Sequence, residues 1–124
     1  MKDRKEAIEF CKKYEGAYED YPFKDANWTV MRHKTGNKVF AWIFEKDGNT
    51  WINLKCSPDS RDFFRNIYKS VIPAYHLNKE HWNSVILDGS VPEKDIKFMI
   101  DESYELTKIK KKFKLKSSKE CTQP

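Results

Sequence analysis

Residues 28–56, WTVMRHKTGNKVFAWIFEKDGNTWINLKC, decide the fold. Three runs rich in β-branched and aromatic residues are cut by two turn signals, Lys34-Thr35-Gly36-Asn37 and Lys46-Asp47-Gly48-Asn49. Asp-Gly and Thr-Gly-Asn between such runs are hairpin chemistry, because the turn needs residues that tolerate positive φ. The stretch therefore predicts an antiparallel meander with strands over about 28–33, 39–45 and 50–56. Alternation splits the third strand into Ile52, Leu54 and Cys56 on one face and Trp51, Asn53 and Lys55 on the other. The first set is expected to meet the helices and the second to be partly solvated, as an antiparallel sheet allows. The second strand is apolar on both sides, so Trp42 is placed either outward or inward with Phe40 and Phe44.

Helices flank the meander. Before it, residues 3–14 put Ala7, Ile8, Cys11 and Tyr14 on one side at spacings of three and four, up to the break at Gly16. A loop follows, with Asp20, Pro22, Asp25 and Asn27 as turn formers and Tyr18, Tyr21 and Phe23 tucked against the core. After the meander, Ser57-Pro58 opens a helix to about Tyr68 with a stripe of Phe63, Phe64 and Ile67. Residues 71–77, interrupted by Pro73, read as extended; Asn78 caps a short turn; residues 83–87 read as a further strand ended by Asp88-Gly89. Ser90-Val91-Pro92-Glu93 has the form of a capping box and starts a last helix to about Lys110, with Ile96, Met99, Ile100, Ser103, Tyr104, Leu106 and Thr107 inward. The order α-β-β-β-α-β-α predicts an α+β domain with helices packed on one face of an antiparallel sheet. Residues 1–112 form that single domain, and 113–124 are a lysine-rich tail expected to be disordered.

Charge and cysteine usage narrow the function classes. The net charge of +5 is concentrated at the end: from Lys108 onward there are seven lysines and one acid, and the remainder of the chain is close to neutral. Such a tail attracts polyanions or simply solubilises. Three widely spaced cysteines form no CxxC pair, which predicts a reducing, cytoplasmic setting. No apolar run approaches the about 18 residues that cross a bilayer, and the charged start MKDRKEAIEF is unlike a secretory signal, so no membrane partner is expected. There is no GxSxG, and only four glycines leave no phosphate-cradling loop, so the chain is read as non-enzymatic. Cys56 beside the Ser57 helix start is the candidate nucleophile, and its place on the apolar face predicts an inert thiol. No metal site or cofactor is predicted, since His76 and His81 are five apart and no Cys-His ligand spacing exists.

Several segments together resemble the MmcQ/YjbR-like family: Asp20-Tyr21-Pro22-Phe23, residues 36–44 (GNKVFAWIF), Leu54-Lys55-Cys56-Ser57-Pro58, residues 73–82 (PAYHLNKEHW), and residues 101–106 (DESYEL). The resemblance covers about Tyr18 to Thr107 and implies a CyaY-like, or double-wing, fold. It also implies DNA binding through an open sheet face. Frataxins share that topology and hold iron on an acidic first helix, but here Arg4, Lys5, Lys12 and Lys13 offset Asp3, Glu6 and Glu9, which speaks against iron.

Two clusters carry the binding expectation. Arg32, Lys34 and Lys38, with Trp51, Asn53 and Lys55, make the sheet region locally basic. Lys79 and His81 are placed to contact phosphate beside it, with Trp82 either a core anchor or part of the contact surface. The leading expectation is weak, phosphate-dominated DNA binding by sheet and tail. The alternative is a protein- or small-ligand-interaction module around Trp51 and Trp82 with no nucleic-acid role. The sequence leaves oligomeric state open.

Overall fold

A computed structural model of the chain describes residues 1–109. The expected tail, 113–124, lies outside the described residues. Helix α1 (Arg4–Lys12) is followed by strands β1 (Ala17–Asp20), β2 (Thr29–His33), β3 (Val39–Lys46) and β4 (Asn49–Lys55). Helix α2 (Pro58–Ile67), strands β5 (Val71–Pro73) and β6 (Trp82–Ile86), and helix α3 (Glu93–Thr107) complete the fold. The six strands form one antiparallel sheet in the order β1-β2-β3-β4-β6-β5. The α+β architecture and the central meander are as the sequence predicts. Two short edge strands extend it. β1 falls where the sequence reads as loop: Ala-Tyr-Glu-Asp has no alternation of its own and becomes a strand by pairing Tyr18 with Arg32 and Asp20 with Val30.

Local chemistry sets the boundaries. The Asp3 carboxylate caps α1 by accepting from the Glu6 N–H at 2.8 Å, and Ser57 caps α2 through the Ser60 N–H at 3.3 Å. Asp47 and Gly48 have φ of 52° and 80°, the pair of positive values a two-residue hairpin turn requires. The capping box expected at Ser90–Glu93 does not form. The Ser90 hydroxyl bonds Asp88 and Ser70 instead, Glu93 takes the Met1 ammonium, and α3 starts on Pro92 without a side-chain cap. Helix α3 also stops at Thr107, short of the predicted Lys110.

All three helices contribute to one core on one face of the sheet. Ala7 and Cys11 of α1, Phe64 of α2 and Ile96, Met99, Ile100 and Tyr104 of α3 meet Met31, Ala41, Ile43, Ile52, Leu54 and Val85 of the strands. A bulge at Met31/Arg32 pairs Arg32 with Val39 and turns Phe40 to the helix side, away from Trp42 and Phe44. Ser103 ties helix to sheet, donating to the Phe40 carbonyl at 2.6 Å and accepting from the Lys55 N–H at 2.9 Å. The predicted stripe of α2 is only partly inward: Phe64 is buried, but Phe63 and Ile67 are 56% and 49% exposed. That helix packs at the sheet edge, against β5, and covers a narrow face. Leu106, expected inward, is exposed as well.

Candidate functional site

The other face of the sheet is not open. Cross-strand pairs Trp42–Asn53 and Phe44–Trp51 place these side chains together on it, and two loop segments, 21–28 and 74–81, cover them. Between the segments lies an aromatic cleft of about 380 Å³. Phe23, Asp25 and Trp28 line it from the first segment, Trp42 from β3, and Tyr75, His76 and Leu77 from the second.

Each wall is held by identifiable bonds. The Arg4 guanidinium donates to the Ala26 carbonyl (3.1 Å) and to the Thr29 hydroxyl (2.8 Å), and so anchors the end of the first segment to α1. The Asn27 side chain clamps the same segment to β3, donating to the Glu45 carbonyl at 3.0 Å and accepting from the Glu45 N–H at 2.8 Å. Asp25 Oδ1 accepts from the Asn27 N–H at 2.9 Å. The second segment hangs on a buried network. Asn53 Nδ2 donates to the Tyr75 carbonyl at 2.9 Å, the Tyr75 N–H donates to Ser84 Oγ at 2.9 Å, and the Ser84 hydroxyl donates to Asn53 Oδ1. His76 follows at φ 65°, a left-handed conformation uncommon for a residue with a side chain, held where the cleft is lined.

The rings meet at defined angles. Trp28 stands at 85° to Trp42 with centroids 6.3 Å apart, forming a corner. Phe23 lies over Trp42 at 6.0 Å and 25°. Behind them Trp28 stacks on Phe44 at 4.4 Å, and Phe44 on Tyr75 at 5.7 Å. Lys46 Nζ sits over Trp51 and Tyr75 at 5.5 and 5.2 Å, in cation–π contact with both. Trp42 Nε1 is buried with no acceptor among the described residues, an unsatisfied donor on a cleft residue.

This arrangement corrects three of the residues expected to carry binding on the sheet. Asn53 is 0% exposed and Trp51 7%, because the face they share is covered by the two segments. Asn53 is a structural tie, and Trp51 donates its indole N–H to the Lys46 carbonyl at 3.1 Å. Arg32 is half-buried and turned toward the sheet edge, where its Nε meets Asp20 Oδ2 at 2.7 Å and a terminal nitrogen donates to the Asn37 carbonyl at 2.8 Å. That bond holds the Asp20 carboxyl below its ordinary value. Trp82 is half-buried rather than a core anchor.

The remaining cations fall together. Lys34 and Lys38 are exposed on the β2–β3 turn. Lys55 pairs with Trp82 in the register that sets Leu54 opposite Ala41, so Lys55 lies at the same end of the sheet as that turn. Lys79 and His81 are exposed on the Asn78–Trp82 turn next to it, which Asn78 caps through the Glu80 N–H at 2.8 Å. Lys108 follows Thr107, which meets His33 beside Lys34.

The buried titratable groups offer little reactive chemistry. Burial pushes the Cys56 thiol up to about 11 and the Cys11 thiol up to about 12, so both stay protonated at neutral pH. Among the described residues, no three His, Cys, Asp or Glu side chains converge as metal ligands.

The family model described as YjbR matches residues 12–106. The chain belongs to the YjbR family. Among the relatives is the Bacillus subtilis protein YyaQ, 36% identical over 119 residues that cover 87% of this chain and all of YyaQ. Another is Escherichia coli YjbR, 32% identical over 100 residues that cover 81% of this chain and 82% of that protein. Both are described as uncharacterized. A crystal structure of a Pseudomonas syringae protein superposes with a TM-score of 0.76 at 29% identity, over 86% of this chain and 99% of that one. A Deinococcus radiodurans protein superposes with a TM-score of 0.77 at 28% identity, over 86% and 78%. The fold of this YjbR-family chain is therefore shared by solved structures. Phe23, Asp25, Trp28, Trp42 and Tyr75 are cleft residues that strand alternation alone does not nominate. The available signal is β3 itself: a strand apolar on both faces needs a second cover, and only the aromatic loops can supply it.

Proposed function

We propose that this YjbR-family protein is a non-enzymatic binding module whose site is the aromatic cleft between segments 21–28 and 74–81. The observation that carries the reading is the open volume of about 380 Å³ lined by four aromatic rings and held by buried hydrogen bonds. Small-molecule sites have this character: concave, largely apolar, pre-formed, with few polar groups. The unsatisfied Trp42 donor and the left-handed His76 fit a site kept for binding at some cost in stability. The buried, unpaired Cys11 and Cys56 fit a reducing compartment. The test is an NMR titration of the full chain with a panel of small aromatic, aliphatic and cationic compounds. Shifts concentrated on Trp28, Trp42, Tyr75 and Leu77 are expected; a panel that perturbs none of them overturns the reading.

A second reading, DNA or another polyanion at the basic end of the sheet, is favoured by one observation. The register gathers Lys34, Lys38, Lys55, Lys79 and His81 at one end, where Lys108 also lies. With Trp51 and Asn53 buried, such binding rests on phosphate contacts, as in a double-wing domain without base readout. A duplex-binding series from low to physiological salt, on wild type and on Lys34→Glu/Lys38→Glu, tests it. Binding that steepens at low salt and weakens in the variant is expected. Binding unchanged in the variant removes the sheet end from the interaction.

A further inference from the structure

The cleft has a shape and a charge that select among ligands. Its two tryptophan walls are nearly perpendicular, 85° at 6.3 Å. A flat aromatic ligand needs two parallel walls separated by two van der Waals contacts, about 7–8 Å. The near-parallel contacting pair on the lining, Phe23 and Trp42, is only 6.0 Å apart and leaves no slot for a ring between them. A corner of ring faces instead suits a compact, rounded group that touches several faces at once. Ring faces carry negative electrostatic potential, so the favoured rounded group is a cation.

Charge points the same way. Asp25 is the one formally charged acid on the lining, and it is exposed at the mouth. Its Oδ1 is engaged by the Asn27 N–H, while Oδ2 has no hydrogen-bond partner among the described residues. The other walls are carbon faces, a leucine and the His76 imidazole, a further polar group on the lining. An ordinary ammonium group brings three N–H donors, and these walls would leave most of them unpaired. A trimethylammonium group carries its charge on methyl surfaces with no donor to satisfy. It can leave water against aromatic faces and keep Asp25 as its counter-charge.

From this we propose that the cleft binds the trimethylammonium head of a free small molecule, with Trp28, Trp42, Phe23 and Tyr75 as the box and Asp25 as the anion. The proposal rests on the reading of the cleft as a binding site and names its ligand class. A volume of about 380 Å³ admits the head and a short polar tail, the size of a choline-like molecule. Lys46 is set over the Trp51 and Tyr75 rings at 5.5 and 5.2 Å, and among the described residues no lysine or arginine lies over the Trp28 or Trp42 ring.

The experiment compares choline with 3,3-dimethyl-1-butanol, its neutral isostere, by NMR titration of the full chain and of Asp25→Asn. Asp25 is exposed, and its variant is expected to fold. Choline is expected to shift the Trp28 and Trp42 indole resonances and to bind at least about tenfold more tightly than the isostere. Asp25→Asn should narrow that gap. Equal binding of both compounds in the cleft overturns the cation assignment and leaves the cleft as a site. Shifts by neither compound overturn the trimethylammonium assignment, with the wider compound panel deciding the cleft reading separately. Tighter binding of a trimethyllysine peptide than of choline overturns the free small molecule as occupant.

Discussion

The two faces of the sheet are built from the same strands and are closed in different ways. On the helix side, aliphatic residues such as Ile43, Ile52 and Val85 interlock with Ile96, Met99 and Ile100, and all six are buried. On the other side, Trp42, Phe44 and Trp51 are covered by loop segments whose own rings, Phe23, Trp28 and Tyr75, pack on them. Helices present continuous apolar stripes and can match a pleated surface over its full length. A loop has to satisfy its backbone polar groups as it crosses, so it covers a sheet at points. The gaps between those points are cavities. The difference teaches that the helix face is filled while the loop face holds the cleft proposed above as the binding site, with Asn53 tying the sheet to segment 74–81.

The comparison makes ordered predictions. Ile52→Ala, on the helix face, should cost about 2–5 kcal/mol in urea unfolding, since it opens a cavity in a filled layer; a loss under about 0.5 kcal/mol would show that this face is not the stable one. Asn53→Ala comes next, at about 1–3 kcal/mol, because it strands the Tyr75 carbonyl and the Ser84 hydroxyl in a buried setting. It should also shift the resonances of segment 74–81, and an unshifted segment would break the link between sheet and cleft.

A smaller effect belongs to His33, at the helix-face end of the sheet. Burial is the largest cause holding its imidazole below 6.5; the Tyr104 backbone and Glu105 act the other way, and Lys108 with the burial. Its Nε2 lies 2.8 Å from Thr107 Oγ1, whose hydroxyl donates to the Ser103 carbonyl at 2.7 Å, so the ring hydrogen is assigned to Nε2. With the folded value depressed, the unfolded chain binds the proton first as pH falls below about 6.5. Stability from the neutral ring is therefore present above that pH and is lost as pH falls through the folded-state value. His33→Gln should remove this component, seen as a wild-type-minus-variant stability difference that is flat above about pH 7 and declines toward pH 5. A flat difference throughout would mean that the ring titrates as in the unfolded chain. The smallest stability effect is expected from Phe23→Ala, under about 1 kcal/mol, because the ring is 47% exposed. Its signature is weaker ligand binding in the cleft with the unfolding midpoint nearly unchanged.

Much of the fold was legible in local chemistry. The Asp47-Gly48 turn, the Ser57-Pro58 start and the spacing of Ile96, Met99, Ile100 and Ser103 each act within a few residues, and each appears where the sequence places it. The site was less legible. Alternation correctly separated Trp51, Asn53 and Lys55 from Ile52 and Leu54, but a period of two says which residues share a face and not what lies over it. Strand β1 and the bulge at Met31/Arg32 were hidden for a related reason, since both arise from pairing with a partner strand.

The sequence by itself determined the meander, the helices around it, and membership of the YjbR family, because hairpin turns, caps and apolar periods are written within a few residues of where they act. Only the tertiary structure decided that the second face is covered, that Arg32 is engaged by Asp20, and that Phe23, Trp28, Trp42 and Tyr75 enclose a cleft. Those facts depend on segments up to about fifty residues apart, from Phe23 to Tyr75, meeting over one sheet. Such meetings follow from which surface remains to be buried once the helices have taken the other.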